Sequence, residues 1–166
     1  YEGREPDNTI DEKSCAAIIF TSGTTGEEKG VMLSHANLID TTFNGNFDVN
    51  IKISILPMHH AFSVKSDFLT PLGVGSTICF HNGMDKLGEA LQAYEPTCLS
   101  MVPMIANALY KKVFMFSQQT GKTMEECKYL VFGKRINQII TGGAHLPSEL
   151  VDKYQKSVYN VNMNFI

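Results

Sequence analysis

The sequence predicts an α/β fold with a largely parallel sheet flanked by helices, and two patterns carry that prediction. Five short apolar or alternating runs alternate along the chain with segments of helical periodicity, as in parallel strands joined by crossover helices. Three of these predicted strands end in loops rich in glycine, hydroxyl or histidine side chains, at 21–26, 57–62 and 141–144. Because ligands of parallel sheets bind at the carboxyl ends of the strands, these loops are candidate functional sites.

Length and composition describe an ordinary globular protein. The chain has 166 residues, of which 43% are hydrophobic and 19% charged, and its net charge is −3. That length suits one domain with a real core, and the charge gives no reason to expect a nucleic-acid partner. Four cysteines lie far apart without a C-x-x-C motif, which predicts reduced thiols and a cytoplasmic location. No apolar run approaches the roughly 20 residues of a transmembrane helix.

The first third of the chain predicts a strand, a helix and a second strand. Residues 1–13 are polar and predict a lead-in segment, and residues 16–20 form an apolar run that predicts a buried strand. Ser34 is a candidate N-cap for a helix that ends near residues 44–46. Residues 51–55 alternate with a period of two, which predicts a half-buried strand.

The rest of the chain predicts three more strands and several helices. Strands are predicted at 76–80, 97–102 and 136–141. Helices are predicted at about 63–72, 85–94 and 103–110, and from residue 146 onward, while 123–133 is ambiguous, with a helix as one reading. Pro96 and Pro103 mark the end of one helix and the start of the next.

The segment FTSGTTGEEKG at residues 20–30 concentrates groups that can bind a phosphate. It follows an apolar run and holds three glycines, four hydroxyl side chains and one lysine. Glycines let several backbone amides point at one anion, while hydroxyls and the ammonium group add donors and charge. We interpret it as a phosphate-binding loop, although its spacing matches neither the Walker loop nor the dinucleotide fingerprint. The candidate ligands are Thr21, Ser22, Gly23, Thr24, Thr25, Gly26 and Lys29.

Two adjacent histidines, His59 and His60, follow the second predicted strand. Neighbouring residues of a strand point to opposite faces, and no Cys, Asp or Glu lies at zinc-ligand spacing, so the pair does not predict a zinc site. Two interpretations stay open: the pair caps and packs the helix start, or one histidine lines a pocket with Phe62. An imidazole donor beside an aromatic wall suits a carboxylate that carries an apolar tail.

The segment Thr141-Gly142-Gly143-Ala144 places two glycines at the end of the last predicted strand. It is either a plain turn into the next helix or a place where a flat ligand approaches a backbone without side chains. The residues by themselves favour neither reading. Ser22 is not a candidate nucleophile, because the G-x-S-x-G motif is absent from the sequence.

The motif TSGTTGEEKGV resembles the signature of the adenylate-forming (AMP-binding) enzymes, which include acyl-CoA synthetases, luciferases and peptide-synthetase adenylation domains. The family pattern [ST]-[ST]-G-[ST]-T-G-x-P-K-G-V is matched at 21–26 and 29–31, whereas Glu28 stands where proline is usual and adds a negative charge. LPMHHAF at 56–62, the P-T…V-P stretch at 96–103 and ITGGAHL at 140–146 resemble three further family blocks in the same order. The histidine of the second block favours the acyl-CoA synthetases over the amino-acid-activating members, and residues 132–154 most resemble bacterial long-chain fatty-acid CoA ligases.

The resemblance implies a two-step reaction and a set of site residues. ATP and a fatty acid would give acyl-AMP and pyrophosphate, and the thiol of coenzyme A would then attack. Residues 21–26 and Lys29 would hold the β- and γ-phosphates, with Lys29 and Thr21 in catalytic roles and Thr21 in contact with Mg²⁺. His60 and Phe62 would line the acyl site. Gly142, Gly143 and Ala144 would border the adenine and the acyl chain.

Several blocks of the family pattern are not among the 166 residues, including the glutamate that helps to bind Mg²⁺. We therefore expect residues 14–166 to be a truncated part of the large N-terminal domain, inactive or nearly so alone, from a protein roughly three times longer. The parent protein would be cytoplasmic, with at most peripheral membrane contact. Two alternatives stay open: an aryl, short-chain or amino-acid adenylating enzyme, and a non-catalytic paralogue that binds only nucleotide or a partner.

Overall fold

The computed structural model describes residues 9–22, 28–43, 50–157 and 162–165. The chain forms two compact units, residues 1–45 and residues 46–166. Within the described residues, no helix is both long enough and apolar enough to cross a membrane. All four cysteines are free thiols, and Cys98 and Cys127 are buried.

The first unit is an antiparallel hairpin followed by one helix. Strand β1 (Cys15–Ser22) pairs with β2 (Glu28–Ser34), and α1 spans His35–Phe43. The predicted cap is confirmed, because the Ser34 Oγ accepts a hydrogen bond from the backbone N–H of Asn37 at 3.2 Å. The predicted end of this helix at 44–46 lies outside the described residues.

The prediction that residues 16–20 form a buried strand is right about the strand and wrong about its burial. Ile18 is 55% exposed and Phe20 is 67% exposed. The reason is its partner: β1 pairs with β2 in a separate two-stranded sheet and is not part of the parallel sheet. Strands within a parallel sheet are covered on both faces by helices, and a hairpin is not.

The second unit contains a five-stranded sheet in the order β4-β3-β5-β6-β7, and every neighbouring pair is parallel. The predicted class, an α/β fold with a parallel sheet flanked by helices, is thereby confirmed. Strand β7 was not among the predicted strands. The strands are β3 (Ile51–Ser54), β4 (Thr77–Phe80), β5 (Cys98–Met101), β6 (Gln138–Thr141) and β7 (Asn162–Phe165).

Helices connect these strands. After β3 the chain runs through one helical turn, a π-helical turn at Val64–Leu69 and a second short helix, in agreement with the predicted helix at 63–72. A 3₁₀ turn at Met84–Lys86 precedes the next helix. The α-helices are α2 (Ala61–Ser63), α3 (Thr70–Gly73), α4 (Leu87–Tyr94), α5 (Pro103–Thr120), α6 (Met124–Phe132) and α7 (Ser148–Ser157).

The two faces of the sheet differ in polarity. Alternate residues on one face, Ile53, Leu99 and Ile139 among them, join the hydrophobic core together with side chains of α4, α5, α6 and α7. The residues between them are mostly polar and are also buried: Lys52, Ser54, Cys98, Ser100 and Gln138. The prediction that residues 51–55 form a half-buried strand is therefore wrong, because β3 lies inside the sheet and both of its faces are covered.

Candidate functional site

The register of the hairpin places two predicted phosphate ligands side by side. Thr21 on β1 is directly opposite Lys29 on β2, and Phe20 is opposite Gly30. Directly opposite residues of an antiparallel pair share a face, with Cβ atoms about 4.5–5.5 Å apart. Both Thr21 and Lys29 are exposed. The Thr21 hydroxyl and the Lys29 ammonium group thus lie side by side, one residue pair away from the glycine-rich connection.

The remaining predicted phosphate ligands lie in the connection itself. Gly23, Thr24, Thr25 and Gly26 are outside the described residues, as is the side chain of Ser22, so their predicted roles stay predictions. What the structure adds is the setting of the loop, which joins two antiparallel strands rather than a strand and a helix.

The unusual Glu28 does not share a face with Lys29. It pairs with Ser22 at the end of the hairpin, one residue away from the Thr21–Lys29 pair. Because successive side chains of a strand alternate between faces, the Glu28 carboxylate lies on the other face from the lysine. Relative to Lys29, the negative charge of Glu28 therefore lies on the opposite side of β2.

At the carboxyl ends of the sheet strands, two of the predicted loops meet. A Cβ atom added to Gly143 would lie 3.9 Å from the Phe62 Cδ1 and 3.7 Å from the Val102 Cγ1. Gly143 has a φ of +75°, which an L side chain rarely adopts. Phe62 packs against buried Cys98 and Ile140. The loops after β3, β5 and β6 therefore converge at Gly143, as the carboxyl-end rule predicts.

Gly142 and Gly143 differ in solvent accessibility, and Ala144 resembles Gly143 in this respect. Gly142 is buried, whereas Gly143 and Ala144 are exposed. An exposed backbone without a side chain next to an aromatic ring leaves room for a flat or extended ligand. The interpretation of 141–144 as a ligand-facing turn is thus compatible with the geometry at Gly143 and Ala144.

The histidine pair occupies a turn, so the expectation that the two side chains point to opposite faces is wrong. The rings of His59 and His60 are 4.4 Å apart between centroids and tilted by 43°. The backbone N–H of His60 donates to the carbonyl of Pro57 at 3.1 Å. His60 is the N-cap residue of α2, but its side chain makes no cap hydrogen bond. Both imidazoles are exposed, and His60 immediately precedes the helix that carries Phe62.

No three His, Cys, Asp or Glu side chains in the described parts of the chain cluster as a metal site would require. Thr21 supplies a hydroxyl oxygen, which is a hard ligand of the kind Mg²⁺ accepts. Mg²⁺ usually takes only one or two protein ligands and keeps waters and substrate phosphates as the others. The exposed hydroxyl beside Lys29 is therefore compatible with a cation that is held mainly by a phosphorylated ligand.

A buried polar cluster behind the histidine turn was missed by sequence reasoning. The Lys52 Nζ lies 3.5 Å from the Asp67 Oδ1 and donates to the Ser100 Oγ at 2.5 Å. Lys52 is 1% exposed and Asp67 is 0% exposed. The sequence offered one signal: Lys52 and Ser100 each lie between two apolar residues of a predicted strand.

Burial raises the pKa of the Asp67 carboxyl above its usual range. The Lys52 ammonium and the backbone amides of Leu56 and Ile55 lower the pKa of this carboxyl and offset part of that effect. Burial also raises the pKa of the Cys98 thiol, which lies 3.5 Å from the Lys52 Nζ. A buried thiol with a raised pKa is a poor nucleophile, so Cys98 is not a candidate nucleophile.

Comparison with protein families decides the assignment. Residues 2–163 match the family described as AMP-binding enzyme. The chain belongs to the AMP-binding enzyme family. This confirms the resemblance that the glycine-rich motif and the later blocks predicted.

Relatives of this AMP-binding chain include two CoA ligases of Arabidopsis thaliana. Long chain acyl-CoA synthetase 6, peroxisomal, is 32% identical over 138 residues, which cover 80% of this chain and 20% of the relative. 4-coumarate--CoA ligase-like 3 is 26% identical over 170 residues, which cover 97% of this chain and 28% of the relative. The AMP-binding chain thus spans between a fifth and three tenths of these relatives' length.

Among solved structures, a malonyl-CoA ligase in a ternary product complex with methylmalonyl-CoA and AMP has a similar fold. It superposes with a TM-score of 0.73 at 18% sequence identity and covers 99% of this chain and 35% of its own. At this identity the similarity concerns the fold alone. It agrees with a parallel sheet flanked by helices as the architecture of this AMP-binding chain.

Proposed function

We propose that the protein is a carboxylate–CoA ligase whose substrate is a long-chain fatty acid. The observation that carries the proposal is the pairing of Thr21 with Lys29 across the mouth of a hairpin that bears the AMP-binding motif. The similarity to a long chain acyl-CoA synthetase supports the fatty acid as the substrate class. ATP, Mg²⁺ and coenzyme A are the co-substrates and cofactor that this reaction needs.

In the first step, a carboxylate oxygen attacks the α-phosphorus of ATP. The new bond is an acyl–oxygen–phosphorus bond, and the bond from the α-phosphorus to the bridging oxygen breaks and releases pyrophosphate. Lys29, Thr21 and the loop 21–26 hold the β- and γ-phosphates and stabilise the charge that builds up on the leaving pyrophosphate. Mg²⁺, with Thr21 as one ligand, would supply further neutralisation of that charge.

The second step transfers the acyl group to coenzyme A. The thiol loses its proton to solvent, its sulfur attacks the acyl carbon, and AMP leaves with the electron pair of the carbon–oxygen bond. We place the acyl group beside Phe62 and Gly142, with His60 as a hydrogen-bond donor to the carboxylate before the first step. Gly143 and Ala144 then border the adenine and the start of the acyl chain. The apolar contact of Phe62 with Ile140 supports an acyl-facing wall there.

We also propose that residues 14–166 belong to the N-terminal AMP-binding domain of a larger protein. The coverage of 20% to 28% of the relatives' lengths supports this. The free thiols support a cytoplasmic location, since reducing compartments keep cysteines unpaired.

The experiment is carboxylate-dependent exchange between pyrophosphate and ATP, measured on the full-length gene product and on residues 1–166 in parallel. We expect Lys29→Met to lower the exchange rate of the full-length protein by about 10²-fold or more, as loss of one donor to developing charge typically does. Lys134→Met, at an exposed lysine of the α6–β6 connection, is the matched control and should leave the rate unchanged. An unaltered rate in Lys29→Met would remove Lys29 from the phosphate site.

An aromatic carboxylate is the second candidate substrate, because the 4-coumarate--CoA ligase-like relative aligns over 97% of this chain. A panel of fatty acids of increasing length and of hydroxycinnamates separates the two candidates. Higher kcat/KM for long fatty acids would support the first proposal, whereas preference for hydroxycinnamates would replace it.

A further inference from the structure

The buried pair of Lys52 and Asp67 lies behind the turn that carries His60 and Phe62. Neither residue belongs to the AMP-binding motif blocks, and the two-step reaction above assigns no role to either. We infer that Asp67, held in place by Lys52, is a positioning residue that anchors residues 55–62 and so fixes His60 and Phe62. The consequence for the acyl site rests on the proposed function.

One carboxylate oxygen of Asp67 accepts from the start of this segment. The Asp67 Oδ2 is 3.3 Å from the backbone nitrogen of Ile55 and 3.5 Å from that of Leu56. Both residues are buried and lie just past the end of β3, where the ladder to neighbouring strands has stopped. Buried backbone amides need an acceptor, and here a side chain from the following helical segment provides it.

The same side chain is tied to the end of the segment. The Ser63 Oγ donates to the carbonyl of Leu56 at 3.0 Å and lies 3.5 Å from the Asp67 Oδ2. The Ser66 Oγ donates to the carbonyl of Phe62 at 2.6 Å and lies 3.4 Å from the Asp67 Oδ1. Asp67 therefore bonds directly to the first residues of the segment and reaches its last residue, Phe62, through Ser66.

Lys52 fixes Asp67 from the sheet side. Its Nζ contacts the Asp67 Oδ1 at 3.5 Å, the Ser100 Oγ at 2.5 Å and the Cys98 Sγ at 3.5 Å. The ammonium group thus joins β3, β5 and the π-helical turn that contains Asp67. A buried ion pair is seldom stabilising compared with apolar residues of the same volume. The role of this pair is therefore to hold the geometry of residues 55–62.

Phe62 connects the anchored segment to the loop that contains Gly143. Its ring packs on Cys98 and Ile140 and approaches the backbone of Gly143. A shift of residues 55–62 would therefore move Phe62 relative to Gly143 at the carboxyl edge of the sheet. Misplacement of a substrate-positioning group by about 1 Å can cost on the order of 10²-fold in rate.

The test uses the full-length protein and two variants. Asp67→Asn removes the charge with little change in shape, and the pair Lys52→Met with Asp67→Leu replaces both charges by apolar side chains. Asp152→Asn, at an exposed position of α7, is the matched control. Amide hydrogen exchange is followed for peptides covering 55–62 and, for comparison, α5. Values of KM are measured for the carboxylate and for ATP in the pyrophosphate-exchange assay.

We expect Asp67→Asn to accelerate exchange in residues 55–62 about tenfold more than in α5, because local opening does not require global unfolding. The KM for the carboxylate should rise about tenfold while the KM for ATP stays within about twofold. The double variant should regain the thermal stability of the wild type and keep the raised carboxylate KM. That combination separates positioning from a contribution to folding alone.

Equal acceleration of exchange in α5 and in residues 55–62 would overturn the inference, as would full recovery of the carboxylate KM in the double variant. A wild-type protein without carboxylate-dependent exchange would overturn the proposed function and the acyl-site consequence. In that case the amide exchange of residues 55–62 would still support or overturn Asp67 as the anchor.

Discussion

A single phenol joins the last helix to the longest one. The Tyr154 hydroxyl donates to the carbonyl of Ala106 at 2.7 Å, and the side chain is 1% exposed. Tyr154 on α7 thereby contacts the first turns of α5, and its ring lies 5.7 Å from that of Tyr110 between centroids. Burial raises the pKa of the Tyr154 phenol well above its usual 10.0.

We expect Tyr154→Phe to lower the free energy of unfolding by about 1 kcal/mol at neutral pH, the typical contribution of one hydrogen bond. The pH dependence has a definite sign. Because the folded-state pKa is raised, the stability that Tyr154 contributes is complete below the unfolded-state pKa of 10.0 and declines as the pH rises above it.

Urea denaturation of wild type and Tyr154→Phe between about pH 8 and pH 11 measures both effects. The difference between the two proteins should shrink with rising pH, since only the wild type carries the buried phenol. Tyr129→Phe, at an exposed position, should behave as the wild type does. A difference that grows with pH would contradict the assigned environment of Tyr154.

Lys52 shows what the residue pattern could not reveal. The alternation in residues 51–55 predicts one buried and one solvated face, because polar side chains usually face water. The structure pairs Lys52 with Asp67, which lies 15 positions later in a helical segment. Nothing local indicates that pairing, since it depends on how the helical turn folds back over β3.

At the scale of elements, the end of α6 packs closely on the end of α4. A Cβ atom added to Gly133 would lie 2.8 Å from the carbonyl oxygen of Leu91 and 3.0 Å from the Cα of Glu95. Gly133 also has φ 86° and ψ 163°, a region that glycine alone occupies readily. Gly121, which ends α5 with φ +68°, has no atom within 4 Å of such a Cβ.

We expect Gly121→Ala to cost about 1 kcal/mol of unfolding free energy, from the left-handed backbone alone. Gly133→Ala should cost about 3 kcal/mol or more, because the steric clash adds to the backbone strain. Thermal and urea denaturation of the two variants compares them directly. Equal losses would mean that α4 moves away from α6 at little cost.

Element boundaries followed the sequence only where a local signal marked them. The Ser34 cap, Pro96 and Pro103 were placed correctly because each acts on its own backbone neighbours. Helix α5 continues to Thr120, ten residues beyond the predicted end, since its packing on α6 and α7 continues. The ambiguous 123–133 is α6, which Thr123 and Glu126 start with a capping box.

Over the whole molecule, the hydrophobic core belongs to the second unit. Of the side chains whose burial is described, all buried hydrophobic ones fall between Ile53 and Tyr154. In the first unit, Thr42 is buried, while Ile18, Phe20 and Met32 are exposed. A two-stranded hairpin with one helix has little apolar surface to bury, so its own stability is marginal.

We therefore expect residues 46–166 to retain a cooperative thermal transition after removal of residues 1–45, with a midpoint within about 5 °C of the 166-residue chain. Residues 1–45 alone should lack such a transition. Circular dichroism during heating follows both pieces. Loss of the transition from 46–166 would show that the first unit contributes to the core of the second.

The fold class was predictable because strands and helices alternate along the chain, and crossover connections then enforce parallel pairing. Proximity of Phe62 and Gly143 was predictable for the same reason, since both follow carboxyl ends of strands. The hairpin was not predictable, because the short apolar run at residues 31–33 is compatible with either a strand or the start of a helix. Sheet order was equally hidden, since it is set by packing between distant segments.

The polar face of the sheet also constrains how the protein's sequence can change over generations. Replacing only Lys52 or only Asp67 would leave an unpaired charge buried beneath the histidine turn. Such a change typically lowers the free energy of unfolding by about 3–5 kcal/mol. Replacing both at once is far less costly. Selection should therefore treat the two codons as one unit: descendants of this gene either keep the pair or have lost both members together.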